Sequence, residues 1–487
     1  MKIEASGVRW VAAFLGLLAT VFAFGPAAAQ QAAAAPRPNI VMIVTDDMGW
    51  KDVGFRGSDI STPNIDRLAA GGARLEQFYV QPMCTPTRAA MMTGRYPFRY
   101  GLQTGVIPSG HNYGLALDER MLPQVLSEAG YKTAIVGKWH LGHADRRYWP
   151  RQRGFDYHYG LLIGEVDYFK HTGHGVRDWF RDNEPLVEEG YVTQLLGDDA
   201  IRVLARHASA TAAAGAAKQP LFLYLPFTAP HAPFQAPQPY LDRYKGIADA
   251  NRRGYAAMMT ALDDQIGRVV EEIDRRGMRD NTLILLINDN GGPREAALAG
   301  EGTASGEMPQ DNSPYRDGKN SLYEGGTRTL AIANWPGRIP GGSVVDQPMH
   351  AVDLLPTLAA LAGTPVKAAK PLDGVDVWPT IAGGKPSARN EVVYNIEAYR
   401  AAIRQGDWKL VWNVLLPSKV ELFDIAKDPS EKTNLADKHP DKVREMQRRI
   451  EELSAQAAPS LLLQTEMGAA MRRIGTTAPQ FPKSSSN

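Results

Sequence analysis

The sequence predicts an α/β protein with a large, mostly parallel central sheet flanked by helices, and a smaller C-terminal antiparallel sheet packed by a helix. Three observations carry this expectation. Short, continuous apolar runs end abruptly in polar clusters, as strands buried on both faces of a parallel sheet do. Stretches with apolar residues at helical spacing lie between those runs, and strands alternating with helices build parallel sheets. From about Asn390 the texture changes to short strands joined by tight turns.

Taken in order, Lys2 and Arg9 precede an apolar run from Trp10 to Phe24, then Gly25-Pro26 and Ala27-Ala28-Ala29. That charged, apolar, then small-residue order reads as a cleaved signal peptide over residues 1–29, so a periplasmic or secreted location is expected. A catalytic α/β domain is expected over 36–389. Residues 39–45 form a strand ending in Asp46-Asp47, and residues 134–136 form one followed by Gly137-Lys138-Trp139-His140. Residues 220–225 lead to Thr228-Ala-Pro-His231, and residues 282–287 lead to Asn288-Asp289-Asn290-Gly291-Gly292. Helices are expected at 63–70, 122–129, 197–206, 255–275 and 353–362. Ligands of parallel sheets bind outside the carboxyl ends of the strands, so these four polar clusters should share one rim. An antiparallel subdomain is expected over 390–460, closed by an amphipathic helix at 441–453, and residues 461–487 are read as a tail.

Composition narrows the function. Across 487 residues, 54 Lys and Arg against 53 Asp and Glu leave a formal charge of +1, so no broad field attracts nucleic acid or an anionic membrane. Neither nucleic acid nor a stable membrane partner is expected. Cys84 is the only cysteine, so an internal disulfide is impossible and the lone thiol needs another explanation.

Asp46, Asp47, Asp289 and Asn290 are hard oxygen donors at the ends of two strands, which suits Ca²⁺ or Mg²⁺ rather than Zn²⁺. Cys84 lies in Pro82-Met-Cys-Thr-Pro-Thr-Arg-Ala-Ala-Met-Met-Thr-Gly-Arg95, with Pro86 suited to opening a helix and Arg88 one turn from Cys84. A helix N-terminus beside a guanidinium is suited to holding an anion or lowering a pKa.

This CxPxR stretch followed by a TGR triplet resembles the signature of the type I, formylglycine-dependent sulfatases of the alkaline phosphatase superfamily. The similarity extends from Pro38 to about Leu435 through Asp46-Asp47-Met-Gly-Trp50, Thr62-Pro-Asn-Ile-Asp66, Gly137-Lys-Trp-His-Leu-Gly142, Pro230-His231, Asp289-Asn-Gly-Gly292, Lys319-Asn-Ser-Leu-Tyr-Glu-Gly-Gly326 and Leu422-Phe-Asp424. Gly49-Trp50, Asp52-Val53-Gly54 and the stretch from Pro82 to Thr87 look most similar to the arylsulfatase B, or N-acetylgalactosamine-4-sulfatase, type.

The resemblance implies hydrolysis of sulfate monoesters, either aryl sulfates or sulfated glycans. It implies that a formylglycine-generating enzyme oxidises Cys84, whose hydrated aldehyde is the nucleophile. Asp46, Asp47, Asp289 and Asn290 would bind Ca²⁺ beside the modified Cys84. Arg88 and Lys138 would hold the hydrate, His140 would serve the breakdown step, and His231 and Lys319 would contact the sulfate and the leaving oxygen. These roles fit the chemistry, because a sulfate ester gains from cations placed where negative charge collects. Other readings are a phosphonate or phosphate ester hydrolase of the same superfamily, or a catalytically silent carbohydrate-binding protein.

Arg95 is expected to pair structurally near the metal ligands. His143, His171 and His174, with Asp167, Tyr168, Arg177 and Trp179, would suit a sugar-binding rim. Asn288 stands where many of these enzymes have Ser, with little consequence expected because its side chain precedes the ligands.

Overall fold

The computed structural model describes residues 37–213, 219–300 and 307–473. The segment read as a signal peptide lies outside them. Among the described residues, no helix is long and apolar enough to cross a membrane.

The main sheet has ten strands, in the order Ser343–Val345, Ala73–Leu75, Ala331–Asn334, Thr282–Asn288, Asn39–Thr45, Leu221–Pro226, Lys132–Lys138, Tyr157–Leu161, Phe180–Arg181, Glu184–Pro185. The five strands from Thr282–Asn288 to Tyr157–Leu161 are mutually parallel, and antiparallel pairings begin on either side of them. All seven residues of Asn39–Thr45 are buried. Ile40, Met42 and Val44 enter one core, with the helices Cys84–Thr93, Leu122–Glu128 and Leu354–Leu361. Val41 and Ile43 enter the other, with Pro63–Ala70, Val192–Ala213 and Ala250–Arg275. A strand covered on both faces cannot alternate apolar and polar residues, which is why it reads as an unbroken apolar run.

A second sheet of four antiparallel strands, Glu391–Ile396, Arg400–Gln405, Trp408–Asn413 and Lys419–Asp424, packs through Val393, Ile403 and Leu410 into the first core. The helix Pro440–Ser454 covers it with Met446, Ile450 and Leu453. Beyond it, Leu461–Arg473 forms a further helix where a tail was expected.

Register positions the site. Thr45 lies opposite Asn288 in the parallel ladder, so Asp46-Asp47 and Asp289-Asn290 leave the sheet side by side.

Candidate active site

All ten expected site residues converge at that rim, and all are buried. One ligand atom from each of Asp46, Asp47, Cys84 and Asp289 lies within 4.8 Å of the others. Cys84 opens the helix Cys84–Thr93, and its thiol is 3.5 Å from Asp46 Oδ1. Arg88, one turn on, donates to Asp289 Oδ2 from Nη2 at 2.8 Å and from Nε at 3.1 Å, and its Nη2 lies 3.3 Å from Asp46 Oδ2. Lys138 Nζ is 2.5 Å from Asp46 Oδ2, and Lys319 Nζ is 2.7 Å from Asp47 Oδ2.

Three carboxylates thus face three fixed cations. Burial works against ionisation of Asp46, but Lys138, His231, Arg88 and Lys319 hold it well below the usual carboxylate range. Asp289 moves the other way: burial, and then the charge of Asp46, push it up to about 6. Carboxylates crowded until one resists ionisation, beside the buried and unpartnered Oδ1 of Asn290, form an oxygen-donor set that a divalent cation fits.

The environment of Cys84 differs from the expectation. Burial, and then the charge of Asp289, push its thiol well above the ordinary range, with Lys138 and Lys319 acting against this. Unmodified Cys84 is a protonated, weak nucleophile here.

Three histidines, His140, His174 and His231, border the cavity of about 230 Å³ that reaches Cys84. His231 Nδ1 lies 2.7 Å from the Ala232 carbonyl, which only accepts, so Nδ1 carries the proton and Nε2 takes a 3.4 Å contact from Lys319 Nζ. His140 has φ of 57°, and its carbonyl accepts from the Thr85 hydroxyl at 3.0 Å. Burial, then Lys138 and Arg88, hold its imidazole well below its usual pKa, so it is neutral, and its Nδ1 has no protein partner. Gly164 lies flat on that ring: a Cβ there would meet His140 Cε1 at 2.6 Å.

Some expectations change. Asn288 does more than precede the ligands: its Oδ1 accepts from Thr45 Oγ1 at 2.9 Å and from Met48 N at 3.1 Å, and its Nδ2 donates to the carbonyls of Met48 and Asn290. It ties the two donor-bearing loops together, and only the ladder register reveals this. Asn288→Leu keeps the volume and removes all four bonds, so turnover should fall about 10–100-fold, the usual cost of losing groups that orient ligands. Titrating activity with a divalent cation checks it; an unchanged cation dependence and rate would show the loops hold without it.

His171 and Trp179 are not rim residues. They are buried and stacked, with His171 Nε2 2.9 Å from the Gly190 carbonyl. Tyr168 is also buried and donates to the His231 carbonyl at 2.8 Å, while His174 does border the cavity. Arg95 is structural, paired with Glu119 at 3.1 Å and donating to the Pro371 carbonyl, and none of these contacts is a candidate metal ligand. Glu165, 3.8 Å from His231 Nδ1, was not anticipated.

Buried carboxylates and fixed cations around one nucleophile-bearing position, at the carboxyl rim of a parallel sheet, define a hydrolase of anionic esters. The Sulfatase family model matches residues 38–364, and an N-sulphoglucosamine sulphohydrolase C-terminal model matches 315–456. The chain belongs to the sulfatase family and is a sulfuric ester hydrolase.

Mouse arylsulfatase J is 33% identical, over 87% of this chain and 77% of its own length. Human N-acetylgalactosamine-6-sulfatase is 34% identical, over 76% of this chain and 71% of its own. The crystal structure of Ps i-CgsB in complex with k-i-k-neocarrahexaose superposes with a TM-score of 0.78 at 33% identity, covering 87% of this chain and 94% of that one.

Proposed function

We propose that the chain hydrolyses sulfate monoesters of sugars or aryl alcohols, with formylglycine made from Cys84 as nucleophile and Ca²⁺ held by Asp46, Asp47, Asp289 and Asn290. The observation that carries this is the setting of Cys84: the sole cysteine, within hydrogen-bonding reach of a carboxylate cluster, with its thiol pushed away from the thiolate it would need to act unmodified. When present, the aldehyde hydrate supplies an attacking hydroxyl and a second one whose deprotonation releases sulfate, and the cation supplies Lewis acidity toward a sulfate oxygen.

The chain's own residues do the rest. Arg88 and Lys138 pair with Asp46 and Asp289 and so hold the nucleophile position in place. Lys319 and His231 face the cavity together, so Lys319 neutralises charge on a sulfate oxygen. His231 Nε2, facing the cavity beside Lys319, is the group placed to exchange a proton with the leaving oxygen. Neutral His140 has Nδ1 available to take a proton in the breakdown step.

Among substrates, sulfated galactose-type sugars are placed first. The relatives named for N-acetylgalactosamine 6-sulfate and the neighbour holding a neocarrahexaose support this class. The segments from Gly49 to Gly54 and from Pro82 to Thr87 favour the 4-sulfate.

Removing the cation should abolish turnover, with Ca²⁺ restoring it. Asp289→Ala should raise the calcium needed for half-maximal rate and lower kcat at least about 100-fold, because one donor is lost and the Arg88 charge is left partly unpaired. Full activity after exhaustive chelation would sink the metal assignment.

A further inference from the structure

One wall of the catalytic cavity has no regular structure. It consists of Val106, Ile107, Pro108 and Ser109, in the long connection between Arg99 and Leu122, which contains neither helix nor strand. We infer that the helix Leu461–Arg473, in the segment expected to be a tail, holds this wall in its substrate-binding position and so sets how tightly the substrate is held. The part of the inference that concerns substrate rests on the sulfatase reading of the cavity.

The helix and its approach grip the connection on both sides of the wall. Before the wall, Ala458 N donates to the Phe98 carbonyl at 2.8 Å, Leu461 N to the Gly101 carbonyl at 2.9 Å, and Gln103 Nε2 to the Ala458 carbonyl at 2.9 Å. The two chains run so close that a Cβ on Gly101 would lie 2.8 Å from the Pro459 carbonyl oxygen, and one on Gly105 would lie 3.0 Å from Leu462 Cδ2. After the wall, His111 Nε2 lies 2.9 Å from Glu466 Oε1. A carboxylate only accepts, so that nitrogen carries the proton. Leu462 and Glu466 are four residues apart and share one helix face, so a single rigid element meets the connection at both ends of Val106–Ser109.

On the cavity side the wall has few other ties. Ile107 N donates to Thr85 Oγ1 at 3.2 Å, and the Ser109 carbonyl lies 2.8 Å from His143 Nε2. Thr85 in turn holds the His140 carbonyl, and none of the helix contacts reaches Thr85 or His140. Releasing the helix should therefore loosen the wall while leaving the reacting groups in place. A wall ordered in advance spares the substrate the cost of ordering it on binding, so its loss should appear in KM and not in kcat.

The test uses the full chain with Cys84 verified as converted. It follows amide hydrogen exchange by mass over residues 101–113 and 461–473, and measures kcat and KM for 4-nitrophenyl sulfate and for galactose sulfated at O4 or O6. Thr465→Pro breaks the helix from a position whose side chain bonds only to the Leu461 carbonyl, within the helix itself. Exchange over 101–113 should quicken by about 10-fold, and KM should rise by about 10-fold with kcat within about 2-fold. Glu466→Ala should move both in the same direction by about 2–3-fold, because Glu466 is 59% exposed and such pairs are weak. Glu466→Gln keeps an acceptor for His111 and should behave as wild type.

Unchanged exchange over 101–113 in Thr465→Pro, with residues 461–473 shown to have melted, would overturn the brace. A fall in kcat at constant KM, or an unchanged KM despite a loosened wall, would overturn its role in substrate binding. Absence of wild-type turnover on every sulfate ester would overturn the sulfatase reading and that role with it, while exchange would still decide whether the helix holds the wall.

Discussion

Cys84→Ala should abolish sulfate-ester turnover, by on the order of 10³–10⁶-fold in kcat, while the protein folds and keeps its affinity for the proposed divalent cation. The side chain is buried and its thiol makes a single 3.5 Å contact, to Asp46. Alanine is a good helix residue at the start of Cys84–Thr93, so the fold loses little. The proposed donors Asp46, Asp47, Asp289 and Asn290 stay on the two strand ends, so cation binding should persist without turnover. A mass measurement on the Cys84 peptide of the active wild type should show an aldehyde in place of the thiol. Near-normal turnover by the alanine variant would sink the proposed nucleophile. An unmodified thiol in fully active protein would do so too, and would require a cysteine mechanism that the raised thiol pKa opposes.

Much of this site was legible in the sequence because its parts are local. A buried parallel strand announces itself as an apolar run, and its carboxyl end as the polar residues that stop it, so Asp46-Asp47 and Asp289-Asn290 could be assigned to one rim before their distance was known. What could not be read were features made by pairing across long stretches of chain. The hub role of Asn288 depends on its lying opposite Thr45, and nothing in its neighbours signals that. The upward shift of Cys84 depends on its burial and on Asp289, which the sheet brings beside it from a distant strand end. His171 and Trp179, polar-flanked and loop-like in sequence, turn inward to stack on each other, and Glu165 reaches His231 from a loop that carries no motif. The centre of the sheet is parallel as expected, but its antiparallel flanks come from short strands such as Ala331–Asn334 and Phe180–Arg181, too brief to show a period.

The same limit hid the ion network that holds the two sheets together. Lys409, fully buried on the small sheet, lies 2.9 Å from Glu324 Oε1, 2.8 Å from Glu431 Oε1 and 4.0 Å from the centre of the Tyr394 ring. Glu324 also accepts from the hydroxyls of Tyr79 and Tyr394, each at 2.9 Å. Burial, then the charge of Glu324, push Glu431 up to about 7, with Lys409 acting against this. Lys409→Met should therefore destabilise the fold by about 3–5 kcal/mol, because two buried carboxylates lose the cation they share. Without that cation the folded-state pKa of Glu431 rises further above its unfolded value, so the variant takes up a proton on folding. Its deficit should be large at pH 8 and shrink as the pH falls toward 5. Urea unfolding at the two pH values measures this; a variant within about 1 kcal/mol of wild type at pH 8 would show that the network adds little. The effect should also reach the active site. Glu324 belongs to the segment that carries Lys319, and the next residues pack so closely on the loop after Asp289 that a Cβ on Gly291 would lie 1.7 Å from the Gly325 carbonyl. Gly291 N also donates to the Gly326 carbonyl at 2.9 Å. Loosening Glu324 thus frees both Lys319 and the loop bearing Asp289, and kcat should fall in Lys409→Met even at temperatures where the variant remains folded.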